Sequence, residues 1–200
     1  MPAIGITGGV ATGKSSFVRA LLKNGAIQLF DADACVHELL AHDGGLIAEV
    51  VGVFGEKVRH PEGGIDRRAL REEIFGNDPA RRALEGLIHP RVRDVWQPMA
   101  VEARKAEQVT LFDIPLLYET DAQNEFDRVL VIACSPGIQR RRMAENRGLA
   151  SELIERMIEA QSDLLAKVIR ADHVVWNDGS PTVLDAQARL FASYLREFYG

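Results

Sequence analysis

The stretch IGITGGVATGKSS, from Ile4 to Ser16, constrains the chain more than any other. Within it Gly8, Gly13, Lys14 and Ser15 keep the spacing of a phosphate-binding loop: glycine, four residues, glycine, lysine, hydroxyl. A chain of this length meets that pattern by accident on the order of one time in a hundred. The flanks narrow the reading further. Ala3, Ile4 and Ile6 predict a short buried strand before the loop, and Phe17, Val18, Leu21 and Leu22 share one face of a helix ending at Asn24 and Gly25.

Strand, glycine-rich turn and helix together aim successive backbone N–H groups at one point, and the helix adds the positive end of its dipole. Gly9, Val10, Ala11, Thr12, Gly13, Lys14, Ser15 and Ser16 are therefore the candidate cradle for the phosphates of a nucleoside triphosphate. Lys14 supplies a mobile charge for the β and γ phosphates, and the Ser15 hydroxyl is placed to ligate Mg²⁺.

Two hundred residues suit one domain, and 46% apolar residues suffice for a packed core. The net charge of −5 gives no general affinity for nucleic acid or an acidic membrane, so phosphate recognition has to be local. Cys35 and Cys134 lie far apart without metal-ligand spacing, which points to a reducing compartment. There is no basic and apolar leader and no apolar run near the roughly 18 residues of a membrane span. The expected location is cytoplasmic, with no nucleic-acid or membrane partner; nothing in the sequence bears on oligomeric state.

Along the chain, Ala26 to Phe30 reads as a second strand ending in Asp31, Ala32 and Asp33. Residues two apart in an extended segment share a side, so both carboxylates can point from the strand tip, where open parallel sheets bind ligands. Asp33 there either orients an attacking hydroxyl or caps a helix from Ala34. From Ala34 to about Gln108 the pattern is helical, with Asp66 capping a segment that runs to Phe75, a helix start at Asp78 and Pro79, and another near Pro90 kinked at Pro98. Arg67, Arg68, Arg71, Arg81, Arg82, His89, Arg91 and Arg93 are either phosphate forks or a solvated face.

Val109 to Asp113 is an apolar strand ending in a carboxylate, which either holds Mg²⁺ beside the phosphate loop or caps the next turn. Pro115, Leu116 and Leu117 follow as a pocket wall, with Glu119 either on the acceptor or in solvent. Arg128 to Cys134 is the next strand, and Cys134 reads as a packed residue. Ser135 and Pro136 open a helix bearing Gln139, Arg140, Arg141 and Arg142, with Arg147 beyond, in the manner of a lid. Leu153 to Ala166 reads as an amphipathic helix containing Gln161, His173 to Trp176 as a last strand, and Asn177 begins a turn into a terminal helix, Thr182 to Phe198.

These residues together resemble the dephospho-coenzyme A kinase family. The resemblance runs through GITGGVATGKSS, the DAD at Asp31 to Asp33, Phe54 with Gly55, DRRALR from Asp66, His89 with Pro90, DIPLLYE from Asp113, Gln139 with Arg142, Gln161 and the WNDGS stretch. It implies a P-loop NTPase/kinase fold, α/β, with a parallel sheet flanked by helices, a nucleotide-binding core in 1–33 and 109–200, an acceptor-binding helical region over about 34–108 and a lid over about 136–165. It implies transfer of the ATP γ-phosphate to the ribose 3′-hydroxyl of dephospho-CoA. By that resemblance Lys14, Asp33 and Arg142 are catalytic. Arg140 and Asn177 join the loop on the nucleotide, Asn177 near adenine. Thr7, Asp33, Arg67, His89, Arg91, Asp113, Pro115 and Leu116 face the acceptor, and Ser15 and Asp113 hold the metal.

The chain departs from that family pattern at Ala11, usually glycine, at Ser16, usually threonine, and at Asn146, where a lid arginine is expected. Arg147 and Arg140 are the alternatives for that arginine. Two other readings stand beside this one: a P-loop kinase for a different small acceptor such as a nucleoside monophosphate, and a nucleotide-dependent switch without turnover. DIPLLYE and the long helical insertion speak against the first, and the lack of NKxD and DxxG motifs against the second.

Overall fold

The computed structural model describes residues 1–25, 27–161 and 163–199, leaving aside the side chains of Asn146 and Arg147. The chain divides into two compact units, residues 1–30 with 99–200, and residues 31–98.

The first unit is built on five strands in the order β2-β3-β1-β4-β5. They are β1 (Ala3–Gly8), β2 (Ile27–Asp31), β3 (Val109–Asp113), β4 (Arg128–Ala133) and β5 (His173–Trp176). β1 pairs in parallel with β3, Ile6 opposite Asp113, and with β4, Gly8 opposite Ile132; β4 pairs in parallel with β5. Every residue of β1 is buried, as a central parallel strand covered on both faces requires. Helices α1 (Lys14–Asn24) and α9 (Pro181–Tyr199) pack together, and Phe17, Leu21, Leu184, Ala188 and Phe191 meet Ile4, Ile6, Leu130 and Ile132 in the core.

Close packing explains the glycines of β1. A Cβ on Gly5 would stand 2.6 Å from Leu117 Cδ1 and 2.8 Å from Phe126 Cδ2, and one on Gly8 would stand 2.4 Å from the Ile132 carbonyl oxygen of the neighbouring strand. The loop thus leaves the sheet at a point where no side chain fits.

Three more helices follow β4. α6 (Pro136–Arg147) opens at Pro136 as expected, but the segment from Leu153 to Ala166 is not one helix: α7 (Ser151–Glu159) and α8 (Leu164–Arg170) are separated by a break that contains Gln161. Asp163 caps α8 by accepting from the Leu165 N–H, and such a local side-chain bond starts a new helix rather than extending the old one. On α8, Lys167 is 1% exposed and lies 2.7 Å from Glu119 Oε1. Glu119 is therefore the partner of a buried lysine in this unit rather than a freely solvated side chain.

The second unit is helical. α2 (Ala32–His42) and α3 (Gly44–Phe54) meet at Asp43, which ends the first and accepts from the Leu46 N–H to start the second. That bond, with Arg91 adding its charge, holds the Asp43 carboxyl below the usual range. Asp66 caps α4 (Arg67–Ile74), as the sequence predicts, accepting from Arg68 and Ala69.

Two predictions made from local chemistry are corrected here. β2 ends at Asp31 and α2 begins at Ala32, so Asp31, not Asp33, is the cap, accepting from the Ala34 N–H at 3.0 Å. The two carboxylates straddle a strand-to-helix boundary and do not share a strand face; Ala26, the expected first residue of that strand, lies outside the described residues. The second correction concerns α5 (Asp78–Ala103), a single helix with Pro90 and Pro98 inside it. Leu84, Ile88, Val92, Trp96 and Ala100 are all buried and recur every four residues, so one apolar stripe runs past both prolines and offsets the hydrogen bonds they remove.

Gly8→Ala is expected to destabilise the protein more than Gly5→Ala, because the first presses on a backbone oxygen and the second on side chains that can shift; about 1–3 kcal/mol is the usual range for such overpacking, read from denaturant midpoints. Lys167→Met is expected to cost about 3–5 kcal/mol by removing the buried cation that faces Glu119, and Lys167→Met with Glu119→Leu to recover most of it; equal losses in the single and double variants would contradict the pairing.

Candidate nucleotide site

The phosphate loop leaves β1 at Gly8 and enters α1 at Lys14. Gly9 and Thr12 close its turn: the Thr12 N–H and hydroxyl both donate to the Gly9 carbonyl, at 3.3 and 2.9 Å. Ala11 has φ +58° and Gly13 φ +92°. Gly13 is required twice over, since a Cβ there would also stand 2.2 Å from Asn177 Nδ2. The Phe17 N–H bonds back to the Gly13 carbonyl at 3.0 Å, so the N–H groups of Lys14, Ser15 and Ser16 belong to the first turn of α1, where none has an intrahelical acceptor. No acidic residue occupies that turn. This is the backbone arrangement that binds anions.

Around the loop stand side chains from distant parts of the first unit. The Lys14 ammonium pairs with the Asp113 carboxylate at the tip of β3, with both side chains largely buried. Asn177, just after β5 and buried, donates its side-chain amide to the Thr12 carbonyl at 2.8 Å, while its N–H donates to the Ala133 carbonyl at 2.7 Å. Arg142, on α6, donates to the same Thr12 carbonyl at 3.3 Å and to the Asn177 carbonyl at 2.9 Å. The Thr12 oxygen thus faces two donors. Burial pushes the Cys134 thiol up from its ordinary value, with Arg142 opposing, in keeping with a packed and unreactive residue.

Lys14, Asp113, Arg142, Asn177 and the loop are accordingly brought together. Ser15 and Ser16 are exposed in the first turn of α1. Pro115 and Leu116 are half-buried beyond β3, where the Pro115 carbonyl accepts from the Thr7 hydroxyl at 2.9 Å. Thr7 is fully buried, and with its hydroxyl so engaged it fastens β1 to the loop after β3. Asn177 uses a side-chain N–H on the loop. Arg140 lies in a two-pronged pair with Glu155, at 2.7 and 2.8 Å, which ties α6 to α7. The side chains of Arg147 and Asn146 lie outside the described residues.

In the second unit, Asp33 is exposed in the first turn of α2, and its carboxylate has no partner among the described residues. Arg67 lies 3.2 Å from His37 Nδ1. Arg91 donates to Asp43 at 3.1 Å and to Glu49 at 2.7 Å. His89 is half-buried, and that burial lowers its pKa, with Glu85 opposing. Among the described residues no group of three or more His, Cys, Asp or Glu could hold a metal. The donors expected for Mg²⁺, a hydroxyl and a carboxylate, fit an ion that keeps phosphate and water for its remaining ligands.

Gln139 and Gln161 have no role assignable from the sequence, yet both bond to the loop. Their signal was that of a polar residue with no motif, legible only once burial is known. Lys167 gave no signal at all, being one lysine on a short helix.

The family description that matches this chain is CoaE, dephospho-CoA kinase, over residues 2–182. A dephospho-CoA kinase of Symbiobacterium thermophilum is 37% identical over 181 residues, covering 90% of this chain and 75% of that protein. Among solved structures, TT1252 from Thermus thermophilus superposes with a TM-score of 0.76 at 31% identity, covering 99% of this chain and 98% of that one. Dephospho-CoA kinase from Campylobacter jejuni gives 0.69 at 23% identity over 96% of each chain, a likeness of fold. With the family match spanning nearly the whole sequence, and the loop, Lys14 and Asp113 assembled on a five-stranded sheet, the chain belongs to the dephospho-CoA kinase family.

Proposed function

We propose that this protein transfers the γ-phosphate of ATP to the ribose 3′-hydroxyl of dephospho-CoA, giving coenzyme A and ADP. The observation that carries the reading is the loop itself: free first-turn amides, a lysine beside a strand-tip carboxylate, and an arginine fastened at the Thr12 carbonyl.

Phosphoryl transfer needs little covalent chemistry from a protein, and its rate comes from positioning and charge stabilisation. In this reading the amides of Gly13 to Ser16 bind the β-phosphate, and Lys14 spans the β and γ groups. Arg142, held beside Gly13, offsets charge on the transferring group. Asp33 orients the acceptor hydroxyl and takes its proton, and its exposed carboxylate suits that task. Arg67, His89, Arg91, Pro115 and Leu116 are the proposed acceptor contacts, with Arg91 braced by Asp43 and Glu49. Ser15 and Asp113 would hold Mg²⁺, which when bound neutralises phosphate charge. The lid reading of α6 and α7 gains support from the Arg140–Glu155 pair, which joins the two helices. A cytoplasmic location agrees with this substrate; among the described residues no helix is long and apolar enough to cross a membrane.

Coupled measurement of ADP release tests the proposal. Turnover is expected to require dephospho-CoA, to vanish on chelation of divalent cations and to return with Mg²⁺. Lys14→Ala is expected to lower kcat by about 10²–10³-fold, the usual loss of one charge-stabilising group. Asp33→Asn is expected to lower kcat by about 10²–10⁴-fold, the range for a general base, with little change in the KM for ATP. A higher kcat/KM for adenylate or shikimate than for dephospho-CoA would overturn the acceptor assignment, and ADP release without any acceptor would favour an ATPase.

A further inference from the structure

Val10 is held from both sides by side chains more than a hundred residues away in sequence. Its N–H donates to Gln161 Oε1 at 2.9 Å, and its carbonyl accepts from Gln139 Nε2 at 2.8 Å. Gln139 is buried on α6, and Gln161 sits in the break between α7 and α8. Gly9 leaves the space for this arrangement: a Cβ there would stand 3.0 Å from Gln139 Nε2 and 3.5 Å from Leu164 Cδ1.

The two bonds fix two consecutive peptide planes, Gly9–Val10 through its N–H and Val10–Ala11 through its C=O. The second plane matters more. Rotation about φ of Ala11 turns the Val10–Ala11 peptide, and Ala11 is held at φ +58°, a region that costs an L-residue roughly 1–2 kcal/mol. Freed from Gln139, that peptide has an incentive to swing over as Ala11 returns to negative φ. Because the peptide is planar and trans, its N–H points opposite to its C=O. With the carbonyl turned to Gln139, the Ala11 N–H faces the other way, with no acceptor among the described residues. A swing would replace that N–H by a carbonyl oxygen and put a partial negative charge where an anion is to bind.

We propose that Gln139 and Gln161 are positioning residues for the triphosphate: they lock the Val10 peptides so that the loop keeps its anion-facing shape, and thereby couple that shape to the helices α6, α7 and α8. The inference rests on the reading of Gly9–Ser16 as a phosphate cradle.

The test is the affinity of the purified protein for ATP, measured by calorimetry, together with KM values for ATP and dephospho-CoA. Gln139→Met, of similar size but without the amide, is expected to weaken ATP binding about tenfold, the upper range for one neutral hydrogen bond, with the dephospho-CoA KM at saturating ATP unchanged. Ala11→Gly in the Gln139→Met background is expected to recover most of that loss, because glycine holds the left-handed conformation without help. Gln161→Glu keeps an acceptor for the Val10 N–H, whereas Gln139→Glu sets a carboxylate against the Val10 carbonyl. Both add the same charge beside the same residue, so Gln139→Glu should bind ATP at least tenfold more weakly than Gln161→Glu. This pair carries the test if Gln139→Met does not fold. Equal affinities in the two Glu variants, or no recovery by glycine, would overturn the proposal. Failure of the wild-type protein to bind ATP would instead overturn the phosphate-cradle reading beneath it.

Discussion

The N–H groups that a loop offers to an anion cannot be spent on the loop itself, and the carbonyls beside them must be drawn elsewhere. That constraint governs the first unit. The Gly9 carbonyl is taken by Thr12, the Val10 carbonyl by Gln139, the Thr12 carbonyl by Asn177 and Arg142, and the Gly13 carbonyl by Phe17. Only two of these partners, Thr12 and Phe17, are local. The others come from α6 and from the end of β5, so the loop has its shape because the whole sheet and its flanking helices are assembled around it. Buried polar groups are costly when unpaired, and each carbonyl placed in this way removes one route by which the loop could collapse on its own amides.

The strand order serves the same end. β1 lies between β3 and β4, which puts Asp113 opposite Ile6 and lets the Lys14 ammonium reach the β3 tip. Gly5 and Gly8 let neighbouring side chains and backbone close tightly on β1, so the loop starts from a strand with little freedom to shift. Lys167 with Glu119 does comparable work behind the site, joining α8 to the segment after β3 inside the protein. Such a pair gives limited net stability, since desolvation offsets much of the attraction, but it penalises any other placement of α8.

What could be read from the sequence was what depends on local pattern. The buried run of β1, the loop, the β3 carboxylate Asp113, the Asp66 cap and β5 each carry a short-range signature that the fold has no cause to override. The misreadings share one cause. Pro90 and Pro98 are helix breakers by local rules, yet a stripe of five buried apolar residues carries α5 through both. Asp31 and Asp33 read alike until the strand end is known, and a shift of one or two residues decides which of them caps α2. In the segment from Leu153 to Ala166 the amphipathic pattern continues across the break at Gln161, because both helices bury a face against the same unit. Gln139, Gln161 and Thr7 were opaque for another reason: their tasks are hydrogen bonds to distant backbone, and sequence spacing holds no trace of such partners.

The methyl group of Ala11 has a consequence for the denatured chain as well. Glycine at that position would visit left- and right-handed backbone about equally before folding, whereas alanine visits the left-handed one seldom. Its presence makes the productive bend rarer in isolation and leaves the tertiary scaffold to select it. Once selected, the bend has few neighbouring conformations to leak into, so the loop's fluctuations are narrowed at the expense of a standing backbone tension, an arrangement closer to a latched spring than to a flexible hinge.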